Sequence, residues 1–250
     1  MATAASPAYG RVMGLHLSGI RIDATDPRAV ARFWAGVLHG DVHATDPGSV
    51  VVGLPDEEYV LRFVATPHPK TGRNRLHLDL TSRSSEDQEE IVVRAIELGG
   101  AHHDVGQRGD EGHVVLADPD RNELCVIEPG NRFLAGCGSI GAVNCDGNRV
   151  TGEFWRDALG WPLVWDDGEE TAVQSPAGGS KITWSGPPLF DKPPTGRNRI
   201  RFEVTTDDGV DAEADRLVAL GAALVEAVPD RFGTLLLTDP DDNEFHLGGA

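Results

Sequence analysis

The run TGRNRLHLDLT (71–81) sets His77 and Asp79 two residues apart among leucines. In an extended chain two such side chains leave the same face. A histidine beside a carboxylate takes up and returns protons near neutral pH, the chemistry of a general acid or base. The phrase returns as TGRNRIRFEVT (195–205), with Arg201 and Glu203 in the places of His77 and Asp79. Arginine does not titrate in this range, but its planar fork clamps carboxylates and phosphates. Arg201 beside Glu203 equally suits a structural ion pair. Proton chemistry is therefore expected of the first copy and anchoring of the second.

The elements that position these residues are themselves duplicated. DPRAVARFWAGVLHG (26–40) matches DGNRVTGEFWRDALGW (146–161), and ADPDRNELCVI (117–127) matches TDPDDNEFHLG (238–248). The order is constant, so the chain reads as a whole-domain duplication and not as a short solenoid repeat. Gly-rich EPGNRFLAGCG (128–138) marks the join. The expected organisation is a disordered tail over 1–13, one domain over 14–132 and a second over 133–250. Within the first copy, Asp26 is a good N-cap, Pro27 a good first helical residue, and Val30, Phe33, Trp34, Val37 and Leu38 make one apolar face. Ser85 with Gln88 predicts a capping box for a second helix that ends at Gly99–Gly100. Short alternating runs (GIRID, VVVGL, YVLRFVA, NRLHLDL, HVVLA, ELCVI) predict strands. The fold class is α+β, each domain a pair of similar halves.

Composition narrows the partners. A formal net charge of −18 over 250 residues repels phosphate backbones and anionic membranes, so neither nucleic acid nor membrane is expected. No apolar run approaches the roughly 20 residues of a membrane span. The opening MATAASPAYGRVMG has no signal-like apolar core, which leads to the expectation of a cytoplasmic protein. The three cysteines, Cys125, Cys137 and Cys145, form no CxxC pair. GCGSIG (136–141) fits GxGxxG but neither follows a predicted strand nor opens a helix. DPDRNE and DPDDNE mimic the start of a calcium loop but lack its glycine and its terminal glutamate, and read as hairpin turns. Cys125 lies in the apolar LCVI and reads as a buried, inert thiol.

FW…LG on the first helix, GRNRLHLDL opening the second half and DPDxNE turning into the last strand resemble, twice over, the vicinal-oxygen-chelate superfamily of glyoxalase I, bleomycin-resistance proteins and extradiol dioxygenases. The resemblance is nearest to its bacterial glyoxalase-like branch. It implies two tandem glyoxalase-like domains, each of paired βαβββ units forming a curved eight-stranded sheet around a concave pocket with helices outside. Strand alternation then assigns to the pockets Arg21, Arg75, His77, Asp79, His113 and Cys125 in the first domain, and Arg199, Arg201, Glu203 and His246 in the second. Trp184, in KITWSG, is placed as a ligand-stacking residue or as sheet packing. Trp161 and Trp165 flank a turn and suit a pocket rim or a subunit contact.

The superfamily's metal ligands map onto Gly19, His77 and Cys125, and onto Ser139, Arg201 and His246. Neither set completes a metal triad. The expectation is thus no metal, with a divalent ion near His77 as the weaker possibility. The expected function is a binding protein of the glyoxalase/bleomycin-resistance type that sequesters a planar or cationic metabolite, as a monomer or homodimer. The alternative is an isomerase, lyase or dioxygenase of the same superfamily. There His77 is the general base, oriented by Asp79, and Arg75 or Arg21 stabilises an oxyanion.

Overall fold

The computed structural model describes residues 14–46, 48–106, 111–226 and 229–250. The expected tail over 1–13 lies outside them. Four βαβββ units follow one another. The first is β1 (Leu15–Ala24), α1 (Pro27–Leu38), β2 (Asp41–Asp46), β3 (Ser49–Gly53) and β4 (Val60–Ala65). The second is β5 (Leu76–Leu80), α2 (Ser85–Glu97), β6 (Ala101–His102), β7 (Val114–Ala117) and β8 (Glu123–Val126). The third is β9 (Ile140–Cys145), α3 (Arg149–Leu159), β10 (Leu163–Asp167), β11 (Glu170–Gln174) and β12 (Lys181–Trp184). The fourth is β13 (Ile200–Thr206), α4 (Val210–Leu220), β14 (Ala223–Glu226), β15 (Leu235–Thr238) and β16 (Glu244–Gly249).

The units pair into two curved, open, eight-stranded sheets, as expected of an α+β tandem glyoxalase-like chain. The pairing crosses the repeats. Sheet one runs β14-β15-β16-β13-β1-β4-β3-β2, and sheet two runs β10-β11-β12-β9-β5-β8-β7-β6. The first unit therefore shares a sheet with the fourth, and the second with the third. This corrects the expectation that each half of the chain closes a sheet of its own. The seams are the antiparallel pairs β1–β13 and β5–β9, in which Arg21 faces Arg201 and His77 faces Asn144.

Local chemistry explains the helices. Asp26 caps α1 by accepting from the amides of Arg28 and Ala29. The helix closes on His39 in the left-handed region, whose amide donates to Ala35. Ser84, one residue before the predicted cap, caps α2 by accepting from the Asp87 amide, while Gln88 reaches the carbonyls of Gly112 and Val126. Phe33 and Trp34 of α1, and Phe154 and Trp155 of α3, are fully buried in one continuous core. Each large side chain so buried contributes roughly 2–3 kcal/mol.

The DPDxNE turns serve the helices. Asp118 accepts from Trp34 Nε1 at 3.1 Å and from the Asn122 side chain at 2.9 Å. Asp239 likewise accepts from Trp155 Nε1 at 3.2 Å and from the Asn243 side chain. Arg121 and Asp242 take the left-handed backbone of a tight turn. These carboxylates are spent on internal donors, as the hairpin reading requires.

The duplicated TGRNR phrase docks onto the same turns. Asn74 bonds Asn122 and Glu123, and Asn198 bonds Asn243 and Glu244. The arginine that ends each phrase crosses to the other repeat. Arg75 donates to Phe190 O at 2.6 Å, Asp241 O at 2.9 Å and Asn243 Oδ1 at 3.3 Å. Arg199 donates to His68 O at 2.9 Å and to the Asp120 carboxylate. The phrase is written twice because the repeats clasp one another reciprocally.

Candidate functional site on the second sheet

Register places side chains on the concave face of each sheet, and the predicted pocket residues divide between the two. On sheet two, His77 and Asp79 of β5 share a face with Cys125 of β8, Asn144 and Ala142 of β9, and Thr183 and Lys181 of β12. His77 Nε2 lies 3.3 Å from Asp79 Oδ1, and Asn144 Nδ2 donates to Asp79 Oδ2 at 3.5 Å. One ligand atom from each of His77, Asp79 and Cys125 falls within 4.8 Å of the others. The His77 side chain is 29% exposed, so solvent reaches the imidazole. His113 precedes β7, whose Val115 pairs with Cys125, and so sits on the same side further along.

The surroundings set the protonation states. Burial on its own would lower the His77 pKa, but hydrogen bonds to Asp79 and then Cys125 outweigh it and carry it up to about 10. Burial raises the Cys125 thiol, with His77 opposing it in part. At neutral pH His77 is thus an imidazolium and Cys125 a thiol. Asp79 favours the protonated form of His77, and burial works against a thiolate at Cys125.

Beyond the cluster the face has an aromatic border. Phe133 and Trp165 meet edge to face at 5.8 Å, and Trp165 is 43% exposed. Lys181 lies 4.9 Å from the Phe133 ring centroid and donates to the Phe133 carbonyl. Asn144, Lys181 and Phe133 went unread in the sequence. The alternation of IGAVNC and KITW carries the signal for the first two. Phe133 lies in the linker, where no periodicity points to it.

Several predicted residues belong elsewhere. Trp184 is completely buried on the opposite face of β12, packed near Gly147 and Gly152 beside α3. The parity of KITW that turns Lys181 and Thr183 to the concave side turns Trp184 away, so sheet packing is its role. Arg75 is consumed by the inter-repeat clasp and does not join His77. Arg21 stands on the other sheet, so neither arginine can serve a reaction at His77 as expected.

On sheet one, Arg21, Arg62, Arg201, Glu203 and His246 share the concave face. Their charges are matched internally: Arg21 with Asp230 at 2.9 Å, Arg62 with Glu203 at 2.7 Å and Arg201 with Asp23 at 2.7 Å. The Phe232 ring sits over Arg21 at 4.9 Å and Arg62 at 5.9 Å. Gly19 is required here, since a Cβ would stand 3.0 Å from the Glu203 carboxylate and 3.3 Å from Val60 O. Burial, then Arg21 and Arg201, lower the His246 pKa to about 2, leaving a neutral ring whose Nδ1 meets Thr234 Oγ1 at 3.1 Å. The guanidinium groups of Arg21 and Arg201 beside a single imidazole do not fit a metal ion. The His77–Asp79–Cys125 donor set does fit one, as nitrogen, oxygen and sulfur ligands suit zinc or iron.

A crevice of about 480 Å³ lies away from the His77 cluster. Asp56, Glu57, Tyr59, Trp161 and Ser180 are among its walls, which puts Trp161 at a pocket rim. Burial raises the Glu57 carboxyl to about 7, against hydrogen bonds from Ser180.

With this geometry in view, comparison with known proteins gives the family. The glyoxalase-like domain family model matches residues 19–127 and again 142–248, and the chain belongs to that family. A search of curated proteins found no match. Among solved structures, glyoxalase I from Zea mays superposes with a TM-score of 0.64 at 12% identity, over 94% of this chain and 92% of that one. A proposed dioxygenase of Bacillus subtilis superposes with a TM-score of 0.59 at 17% identity, over 96% and 86%. At these identities the likeness shows the fold, that of the vicinal-oxygen-chelate superfamily. No helix among the described residues is long and apolar enough to cross a membrane.

Proposed function

We propose that the protein binds a small planar organic molecule on the concave face of sheet two, above His77, Asp79, Cys125 and Asn144. One observation carries this reading. The face of sheet two keeps a solvent-reachable polar cluster with an aromatic border, whereas sheet one spends its charges on one another. The imidazolium of His77 and the Lys181 ammonium favour a ligand with acceptor oxygens, and the Phe133–Trp165 edge favours a flat one. A cationic ligand fits this face poorly. The test is titration with planar aromatic acids, followed by Trp fluorescence and calorimetry. His77→Ala and Trp165→Ala should each weaken binding at least tenfold, and Arg201→Ala should not. Loss on Arg201→Ala alone would move the working site to sheet one.

An enzymatic reading rests on the same cluster. Here His77, Asp79 and Cys125 would hold a divalent ion, which supplies Lewis-acid polarisation of a bound oxygen. Asn144 would orient Asp79 through its side-chain amide. The superpositions on glyoxalase I and on the proposed dioxygenase agree with this reading at the level of fold. Elemental analysis of desalted protein separates the two. One tightly held zinc or iron per chain, lost in His77→Ala, supports the enzyme. Metal-free protein that still binds a planar acid supports the binder.

A further inference from the structure

The crevice between the two copies of the TGRNR phrase has a charge balance that the clasp does not account for. Its volume is about 290 Å³, and Lys70, Arg73, Arg75, Arg197 and Arg199 line it, with Asp23 the one acidic lining residue. That balance is the reverse of the chain's, whose net charge is −18. Three of the cations have carboxylate partners: Lys70 with Glu123, Arg197 with Glu226 and Arg199 with Asp120. Asp23 is engaged by Arg201. Arg75 meets only neutral acceptors, and Arg73 stacks on the Phe190 ring at 4.3 Å. The Asp146 carboxylate feels both arginines and accepts from the Phe190 amide. A surplus of cationic charge therefore remains inside a concave, partly desolvated space.

A second observation is independent of this charge count. Arg199 has a side chain only 8% exposed, and its buried Nε–H has no partner among the described residues. An unpaired buried donor costs roughly 1–3 kcal/mol, which a ligand acceptor would recover. The paired arginines of two facing loops also give the site a two-sided form. Arg73 and Arg197 are exposed and make none of the clasp's hydrogen bonds between the repeats.

We propose that this crevice is a binding site for a small multivalent oxyanion, a phosphate or a dicarboxylate, held between Arg73 and Arg197 with Arg199 behind. A guanidinium fork supplied by each repeat suits a ligand with acceptor oxygens at both ends. The site is separate from the concave face of sheet two and does not depend on what binds there. Because it spans both repeats, its occupant would strap the two sheets together and raise the unfolding temperature.

The test uses the full chain, with inorganic phosphate and succinate as probes, by calorimetry and thermal unfolding at low salt. Wild type should bind at least one of them in the millimolar range or tighter, gain thermal stability, and lose affinity as salt is added. The Arg73→Ser/Arg197→Ser double variant should lose at least tenfold in affinity, and the Arg73→Lys/Arg197→Lys variant should retain a measurable part of it. His77→Ala should bind the anions as wild type does, which separates this site from the planar-ligand site. Preference for phosphate or for succinate identifies the source of the oxyanion. Binding unchanged in the double serine variant, or no binding of either probe at about 10 mM, would overturn the proposal.

Discussion

Two histidines face the two concave surfaces and sit in opposite electrostatic surroundings. His77 has a carboxylate for a partner and is held protonated, whereas His246 is buried between Arg21 and Arg201 and is held neutral. The second case makes a stability prediction with a definite sign. In the unfolded chain His246 protonates below its ordinary value of about 6.5, but in the folded chain only near 2. From pH 6.5 downward the unfolded state therefore binds more protons, and stability falls by up to about 1.4 kcal/mol per pH unit from this residue. His246→Gln removes the titration. Its stability relative to wild type should improve by about 2 kcal/mol between pH 7 and pH 5, measured by urea unfolding. Parallel pH dependences in the two proteins would show that the ring is not held neutral. The substituted phrase is thereby explained at this scale. Arginine in place of histidine on β13 turns a proton-exchanging face into a charge-matched one.

At the scale of elements, close approach between α3 and its sheet decides a residue type. Gly152 lies in the middle of α3, where alanine would ordinarily gain about 1 kcal/mol of helix propensity. An added Cβ would stand 1.9 Å from Thr171 Oγ1 and 2.8 Å from Thr171 Cβ. Gly152→Ala should thus destabilise the protein by roughly 1–2 kcal/mol in chemical denaturation, because overpacking outweighs propensity. A stabilised variant would mean that α3 rides further from β11 than the structure has it. The Trp–Asp links give a matched pair. Asp118→Ala leaves the Trp34 indole N–H and the buried Asn122 amide without their acceptor, and Asp239→Ala does the same to the Trp155 indole, while Asn243 keeps the Asp146 carbonyl. Each should cost roughly 1–3 kcal/mol, and the two costs should add, since the sites lie in different repeats and share no partner. A loss confined to one of them would break the equivalence of the repeats.

The whole molecule shows where sequence reading stops. Period-two alternation was enough to set His77, Asp79 and Cys125 on one face, and FW, DPD and TGRNR announced the duplication. Which units share a sheet was not legible, because β1 and β5 present similar edges and no short turn dictates their partners. The same blindness hid the neutralisation of sheet one, since Asp230 and Phe232 reach Arg21 from a loop without periodicity. Cross-pairing of the units leads to the last prediction. A fragment ending at residue 132 keeps β1 and β5 but loses β13 and β9, the strands that complete each sheet at its centre. The β1–β13 seam runs from Leu15 opposite Thr206 to Ile22 opposite Ile200, and losing it bares a long edge with apolar neighbours. Such a fragment should not persist as a cooperatively folded monomer. It should associate with itself, or pair one to one with a fragment of residues 133–250 when the two are co-expressed. Light scattering coupled to gel filtration, with denaturant unfolding, reads the outcome. A monomeric fragment that unfolds cooperatively on its own would show that each repeat can close its own sheet, and that the crossed pairing is a choice of the joined chain and not a requirement of its halves.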